Sequence, residues 1–425
     1  MSDSKRFVLM TYGSRGDVEP FVALARGLRQ AGHDVRLMAP APFAHLAFAH
    51  GVNFEPLEGN PEELALALTD RAGLNGPRMV KRMIEHVLPL AERVARAALR
   101  TAREAEVIVH SFLLTDAGHT IAVRQGIPDF SAQLFPVFAT TGDFPAPVFP
   151  DWRWGGTYRR FTHRLSTAVF RFGGRLLYRR IRSGAPDLPD LAPWPFNHSS
   201  RGPTPLLFAY SPAVLPRPYD WPPHTHVTGY WKLPPPSNWS PPDDLRRFLD
   251  EGQPPVFFGV GSMRTQRMRQ LLEGVLQAIR STDHRAIIGG PGREVHSLTM
   301  PQGVYALEWA PYDWLFPQMA MIVHHGGAGT TGAALRSGVP SVAIPFTADQ
   351  AFWARRAHQL GVGPAGVPVN RLTTPVLDRL IRETKADPSF VSRAQSVAEQ
   401  LRHEDGVATA LSVIDAHVRA FRPAA

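Results

Sequence analysis

The chain has 425 residues, 44% of them hydrophobic, a formal net charge of +9 and no cysteine. That length and apolar content exclude a disordered or fibrous protein and suit two or three domains with cores of their own. The absence of cysteine excludes disulfides, thiol chemistry and cysteine-type zinc sites, and fits a reducing compartment.

The N-terminal apolar run FVLM is too short for a signal-peptide core, and no stretch approaches the ~18 apolar residues of a membrane span, so a soluble, cytoplasmic protein is expected. RFVLMTYG reads as a strand ending in turn residues, VEPFVALARGLRQAG as a helix stopped by Gly32, and HDVRLMAP as the next strand. This is a βαβ unit opening a parallel sheet. A helix is predicted through residues 77–105, strands at 106–111 and 129–135, and a last short strand near PLLFAYS.

The proline-dense passage 215–244 cannot sustain a helix or a central strand and reads as an interdomain linker. After it the alternation restarts, with strands in PVFFGVGSM, HRAIIGG, GVYALEW, MAMIVHH and SVAIPF and helices between and after them. The predicted organisation is an N-terminal Rossmann-like domain over 1–228, a linker over 229–242, a second Rossmann-like domain over 243–400, and a C-terminal helix over 401–425 that packs on the N-domain. Two such α/β domains facing each other across a cleft would bring the carboxyl ends of both sheets to it, where open α/β sheets bind ligands.

In HHGGAGTTGAALRS a strand gives way to small residues, Gly326, Gly327, Ala328, Gly329, Thr330 and Thr331, and then to a helix stopped by Gly338 and Pro340. Small residues allow close approach to the backbone, and a helix start offers unpaired N–H groups with about half a positive charge, which suits a phosphate or diphosphate. His325 would add a donor and Thr330 a hydroxyl. The competing reading is a tight turn that uses glycines for packing, and neither G-x-G-x-x-G nor G-x-x-x-x-G-K-[ST] is present. A metal site built from His110, His324 and His325 is disfavoured, because adjacent strand residues point to opposite faces.

GSRGDVEP follows the first strand; Gly13 and Gly16 permit the turn, and Asp17 reads as a helix N-cap with Pro20 in the first turn. From Trp152 to Pro186 there is no acidic residue but nine arginines, from Arg153 to Arg182. Tyr158, Phe161, Leu165, Phe172 and Leu176 fall on one helical face there. Such a basic amphipathic pattern suits peripheral contact with an anionic membrane through 153–182, or equally an ordinary helix that packs its apolar face inward. No nucleic-acid module accompanies the charge, so nucleic acid is not an expected partner.

Four segments in order, MTYGSRGDVEPFVALARGL, FGVGSM, EWAPYDWLFP and HHGGAGTTGAALRSGVPSVAIPFTADQ, resemble family 1 glycosyltransferases of the GT-B fold, in particular sterol glucosyltransferases and bacterial enzymes that decorate lipids and antibiotics. The resemblance implies a nucleotide-diphosphate sugar donor. His325, Gly327, Gly329 and Thr330 would hold its diphosphate, Asp349 and Gln350 the sugar hydroxyls, Trp309 and the backbone of Ala310 the base, with Gly13 and Ser262 also in the donor set. Read from the residues alone, Asp349 and Gln350 are a helix cap, Trp309 a core residue and Ser262 a loop serine.

The resemblance further implies that Asp17 is the base of an inverting transfer, in the place where plant relatives carry histidine, with no covalent intermediate and His325 stabilising the leaving diphosphate. No Asp-x-Asp is present, so neither a metal nor another cofactor is expected. Ala333 stands where many relatives read the ribose with glutamate; because sterol-type members also lack it, a UDP-sugar, in particular UDP-glucose, is favoured over dTDP. The acceptor would be a hydroxyl of a sterol, lipid or natural-product aglycone. A nucleotide-sugar epimerase and a non-catalytic nucleotide-sugar-binding partner protein are the alternatives.

Overall fold

The computed structural model describes residues 4–61, 87–152, 154–197, 202–259, 261, 268–282, 284–290, 300–346 and 348–422. The chain divides into an N-terminal unit, Met1–Tyr210 with Arg217–Pro234 and Asp405–Ala425, and a C-terminal unit, Ser211–Pro216 with Pro235–Glu404.

In the N-terminal unit the strands are β1 (Arg6–Met10), β2 (Asp34–Pro40), β3 (Asn53–Leu57), β4 (Val107–His110), β5 (Asp129–Gln133), β6 (Leu206–Phe208) and β7 (Thr225–Val227). They form one sheet in the order β3-β2-β1-β4-β5-β6-β7, and every pairing is parallel. Its helices are α1 (Arg15–Gln30), α2 (Ala44–Ala49), α3 (Leu88–Thr101), α4 (Thr115–Gln125) and α5 (Gly155–Gly184). Alternate residues of β1 enter different cores: Phe7 and Leu9 pack with α1, Val8 and Met10 with α3. A strand covered on both faces has to be apolar throughout, which is why RFVLM reads as a continuous run.

The C-terminal unit carries α6 (Asp243–Asp250), β8 (Val256–Gly259), α7 (Met268–Thr282), β9 (Ala286–Gly289), β10 (Val304–Leu307), α8 (Tyr312–Leu315), β11 (Met321–His324), α9 (Ala328–Ser337), β12 (Ser341–Ala343), α10 (Ala348–Gln359), α11 (Thr374–Ala386) and α12 (Ser389–Arg402). Its parallel sheet runs β10-β9-β8-β11-β12. The last helix, α13 (Gly406–Ala420), belongs to the N-terminal unit: Ala410 and Ile414 are buried in the core that α1 covers.

Several boundaries differ from the sequence expectation. The passage 215–244 is not wholly a linker, since it contains β7, and Tyr230 and Trp231 are buried in the N-terminal unit while Trp239 packs with the C-terminal core. Both strands that periodicity does not reveal, β3 and β7, stand at the sheet's edges. There proline is tolerated, as at Pro56, and a one-sided strand needs little apolar sequence. The helix expected over 77–105 spans Leu88–Thr101, its earlier part lying partly outside the described residues. The C-terminal segment 401–425 is not one helix: Leu401 and Arg402 end α12, and α13 starts afresh at Gly406.

Candidate functional site

The Asp17 site is built where β1 turns into α1. Ser14, not Asp17, is the N-cap, and Asp17 sits three residues inside the helix. Its Oδ2 accepts hydrogen bonds from the Ser14 amide at 2.7 Å and the Ser14 hydroxyl at 2.9 Å. This reciprocal cap satisfies an orphan donor of the helix start and holds the carboxylate's orientation. Gly13 has φ +155°, and a Cβ there would lie 2.3 Å from Asp17 Oδ2, so only glycine admits the folded-back carboxylate. Pro20 falls in the second turn rather than the first, where it removes the N–H that would bond the Gly16 carbonyl.

Asp17 opens onto a cavity of about 160 Å³ walled largely by Tyr12, Phe21, Phe112, Leu113, Leu134 and Phe135. The polar groups around it include Thr11, Ser111 and Gln133. Among the described residues the buried Ser111 hydroxyl has no hydrogen-bond partner, and the Gln133 amide donates to Ser131 Oγ at 2.7 Å. Burial raises the Tyr12 phenol, so it stays protonated at neutral pH. Around Phe112, Phe138 stacks, Phe135 packs edge-on and Phe170 is tilted, with ring centroids 4.6–5.4 Å away. Phe138 adopts φ +65°, a strained conformation for a non-glycine residue. The sequence reading missed this wall because its members come from the segments after β1, β4 and β5 and from α1 and α5, far apart in the chain.

Next to the cavity, Asp129 Oδ2 accepts from His110 Nε2 at 3.0 Å, His119 Nδ1 at 2.9 Å and Thr204 Oγ1 at 3.2 Å. Burial alone would raise this carboxyl, but the two histidine bonds outweigh it and hold it below the usual carboxylate range. His110 is thereby committed to a carboxylate. Among the described residues no group of three or more His, Asp or Glu is placed to hold a metal.

In the C-terminal unit the glycine loop between β11 and α9 forms the second site. Gly326 has φ +84°, Gly327 is the N-cap, and Thr331 N–H closes the first turn on Gly327 O at 2.8 Å. The His325 ring is held between two glycines: a Cβ on Gly261 would meet its Cε1 at 2.4 Å, and one on Gly327 its Nε2 at 2.5 Å. Gly327 lacks a side chain to make room for His325, whereas Gly329 faces open space where a ligand can reach the helix start. Burial lowers His325 to about 4, so the imidazole is neutral at pH 7, and its Nδ1 has no hydrogen-bond partner among the described residues.

His324 has a different task. Its Nδ1 accepts from the Gly326 amide at 3.1 Å, and burial lowers its pKa to about 3. The narrow cavity of about 30 Å³ behind the two histidines is lined mainly by Phe258, Leu272, Val275, Ile344 and Leu377 and is a packing gap in the core. Thr330 stands in the first turn of α9, half-buried. Ala333 is buried in the core against which that helix packs.

Asp349 and Gln350 lie in the first turn of α10 and not at the end of a strand, for β12 already stops at Ala343. Gln350 Oε1 accepts from Phe346 N at 2.8 Å, closing the loop, and its backbone oxygen lies 3.0 Å from where a Gly326 Cβ would be. Trp309 is 38% exposed and packs edge-on to Trp239 at 6.1 Å, which excludes a core role; Ala310 beside it is buried. Ser262 lies outside the described residues. Within the C-terminal unit the structure thus brings His325, Gly327 and Gln350 around one loop.

Residues 7–141 match the glycosyltransferase family 28 N-terminal domain, and 273–407 match the erythromycin biosynthesis protein CIII-like C-terminal domain. The chain is 32% identical over 430 residues to a sterol 3-beta-glucosyltransferase of Aspergillus terreus, covering 97% of this chain but only 30% of that protein. It therefore spans less than a third of the fungal relative's length. Against the sterol 3-beta-glucosyltransferase UGT80B1 of Arabidopsis thaliana it is 32% identical over 429 residues, 97% of this chain and 68% of the relative. In three dimensions it is similar to the calicheamicin glycosyltransferase CalG4, with a TM-score of 0.69 at 16% identity over 98% of this chain and 99% of the other. Identity near one third along almost the whole chain, carried on this two-sheet frame, means that the protein belongs to the family 1 glycosyltransferases of the GT-B fold.

Proposed function

We propose that the protein is an inverting glycosyltransferase that moves glucose from a UDP-sugar to a hydroxyl of a hydrophobic acceptor such as a sterol or natural-product aglycone. The observation that carries this reading is the Asp17 carboxylate, fixed by Ser14 at the mouth of a cavity walled by aromatic and aliphatic side chains. A cavity of that lining takes an apolar ring system and presents one oxygen to the carboxylate. The relatives named as sterol 3-beta-glucosyltransferases favour the same acceptor class.

In this mechanism Asp17 accepts the acceptor's hydroxyl proton as that oxygen attacks the anomeric carbon. The bond from this carbon to the nucleotide diphosphate breaks in the same displacement, inverting the centre. A carboxylate is a weak base towards an alcohol, so the proton moves during attack and contributes about 10²–10⁴-fold. The larger contribution is the stabilisation of the departing diphosphate by the α9 helix start and an N–H of neutral His325. No metal or other cofactor enters, and EDTA is expected to leave turnover unchanged.

Trp309, partly exposed, offers its ring to the uracil, where stacking on a base contributes about 1–3 kcal/mol. Thr330 and Gly329 reach the diphosphate, Asp349 and Gln350 the sugar. Ala333 leaves no carboxylate to read the ribose, which by itself leaves UDP and dTDP open; UDP is favoured through the resemblance to sterol-type members, which also lack that glutamate. Acceptors of this class partition into membranes, so the reading includes a peripheral station at a lipid surface.

The test is nucleotide release with UDP- and dTDP-sugars against a panel of sterols and aglycones. Asp17→Asn should abolish turnover while UDP binding persists, and NMR of the product should show an inverted anomeric centre. Nucleotide release or sugar epimerisation without any acceptor would overturn the proposal.

A further inference from the structure

The arginine-rich segment of the N-terminal unit is a single 30-residue helix, α5, and it is amphipathic in an unusual sense. One face is used for packing. His163 Nε2 donates to Phe144 O at 3.0 Å, Phe170 packs against Phe112 with ring centroids 4.6 Å apart, and Leu177 and Ile181 join the apolar cluster beneath α3. Tyr158 is also engaged, against Trp152 and Trp154 and with its hydroxyl on Pro150 O.

The opposite face carries a second apolar stripe that nothing covers among the described residues. Phe161, Leu165, Val169, Phe172 and Leu176 recur at helical spacing and are 57%, 37%, 63%, 73% and 60% exposed. Five large apolar side chains in one solvent-facing row are not scattered surface residues but a contiguous patch. The reading in which these residues pack into the domain is thereby excluded.

The charge around the stripe indicates its occupant. Arg159, Arg160 and Arg182 are held by Asp151, Asp220 and Asp190, and Arg171 lies over the Trp194 ring. Arg164, Arg175, Arg179 and Arg180 are exposed beside the stripe, on a helix without a single acidic residue. Apolar side chains that insert and guanidinium groups that stay at headgroup level are the two requirements for a helix lying in an anionic interface. No described helix is long and apolar enough to cross a membrane, so the contact is in the plane of the surface.

We infer that α5 docks the protein on an anionic lipid bilayer through Phe161, Leu165, Val169, Phe172 and Leu176, with Arg164, Arg179 and Arg180 at the phosphates. Through Phe170 and Phe112 the same helix braces the wall of the Asp17 cavity, and Leu113, which lines that cavity, is itself 58% exposed. The surface thus brings a membrane-dissolved acceptor next to Asp17. That purpose rests on the glycosyl-transfer reading; the surface itself does not.

Co-sedimentation of the full chain with sucrose-loaded vesicles tests it, comparing pure phosphatidylcholine with phosphatidylcholine containing one part in three, roughly, of phosphatidylglycerol. Wild type should bind the anionic vesicles at least about tenfold better than the neutral ones, and high salt should erase the preference. Val169→Asp/Phe172→Asp and, separately, Arg179→Ser/Arg180→Ser should each lower binding about tenfold, while Phe172→Leu retains it. Circular dichroism and the thermal midpoint should not change, because all these side chains are exposed.

Calorimetric titration with UDP reports the donor site separately. Vesicle binding that is absent, or indifferent to these variants, while UDP still binds overturns the docking surface alone. Intact vesicle binding without UDP binding removes only the sugar-transfer reading. A dimer dissolved by Phe172→Asp, with no vesicle binding, would assign the stripe to a second copy and also overturn the proposal.

Discussion

Asp17 and His325 both owe their placement to neighbours that have no side chain. At Gly13 a methyl group would displace the Asp17 carboxylate, since it would stand 2.3 Å from Oδ2. Gly13→Ala is therefore expected to lower kcat about 100-fold, the effect of misplacing a reacting group by roughly 1 Å, with UDP affinity unchanged. Steady-state kinetics alongside calorimetry separates the two effects. At Gly327 the collision is with His325 Nε2 at 2.5 Å, so Gly327→Ala should weaken UDP binding about tenfold, or 1.4 kcal/mol, in the same titration. The histidines also set a pH dependence of stability. Burial holds His324 and His325 at about 3 and 4, below the ordinary 6.5, so in the unfolded chain both take up protons first as the pH falls. The stability of the C-terminal unit should thus decline from about pH 6.5 to about 3, less steeply once His325 is protonated near 4, and level off below. Urea unfolding across that range checks the sign, and His324→Gln should flatten the slope.

Elements were legible where their signal was local. The βαβ start, β8 through β12 and the loop before α9 follow from runs of apolar residues broken by glycine, because a strand buried on both faces and a helix start each require particular residues in sequence. The edge strands β3 and β7 were not legible, since an edge needs neither a long apolar run nor the exclusion of proline. The docking of α13 on α1 depends on Gly27, where a Cβ would come within 2.4 Å of Val407 Cγ1 and 3.3 Å of Leu411 Cδ1. On an exposed helix Gly→Ala stabilises by roughly 1 kcal/mol. Here the sign should reverse: Gly27→Ala is expected to destabilise the N-terminal unit by about 1–3 kcal/mol through overpacking, as read from chemical denaturation.

At the scale of the molecule, two parallel-sheet units divide the chemistry, an apolar cavity with a carboxylate in one and a helix-start anion site in the other. If the donor belongs to the second, UDP at a hundred times its Kd should stabilise that unit by about 2.7 kcal/mol, seen as slowed hydrogen exchange in β11 and α9 ahead of any change in β1 and α1. Asp17 and His325 could be picked out as candidates in the sequence because each follows a strand that ends in a turn, and turn geometry is written in adjacent residues such as GSRGD and HHGGAG. Tertiary structure alone decided the rest: that Ser14 caps α1 and holds the Asp17 carboxylate from the third helical position, that His110 is taken by Asp129, that Trp309 is exposed, and that the apolar stripe of α5 faces outward. Each of these depends on what a side chain meets from a distant part of the chain, and helical or strand periodicity shows that residues share a face without showing what lies against it.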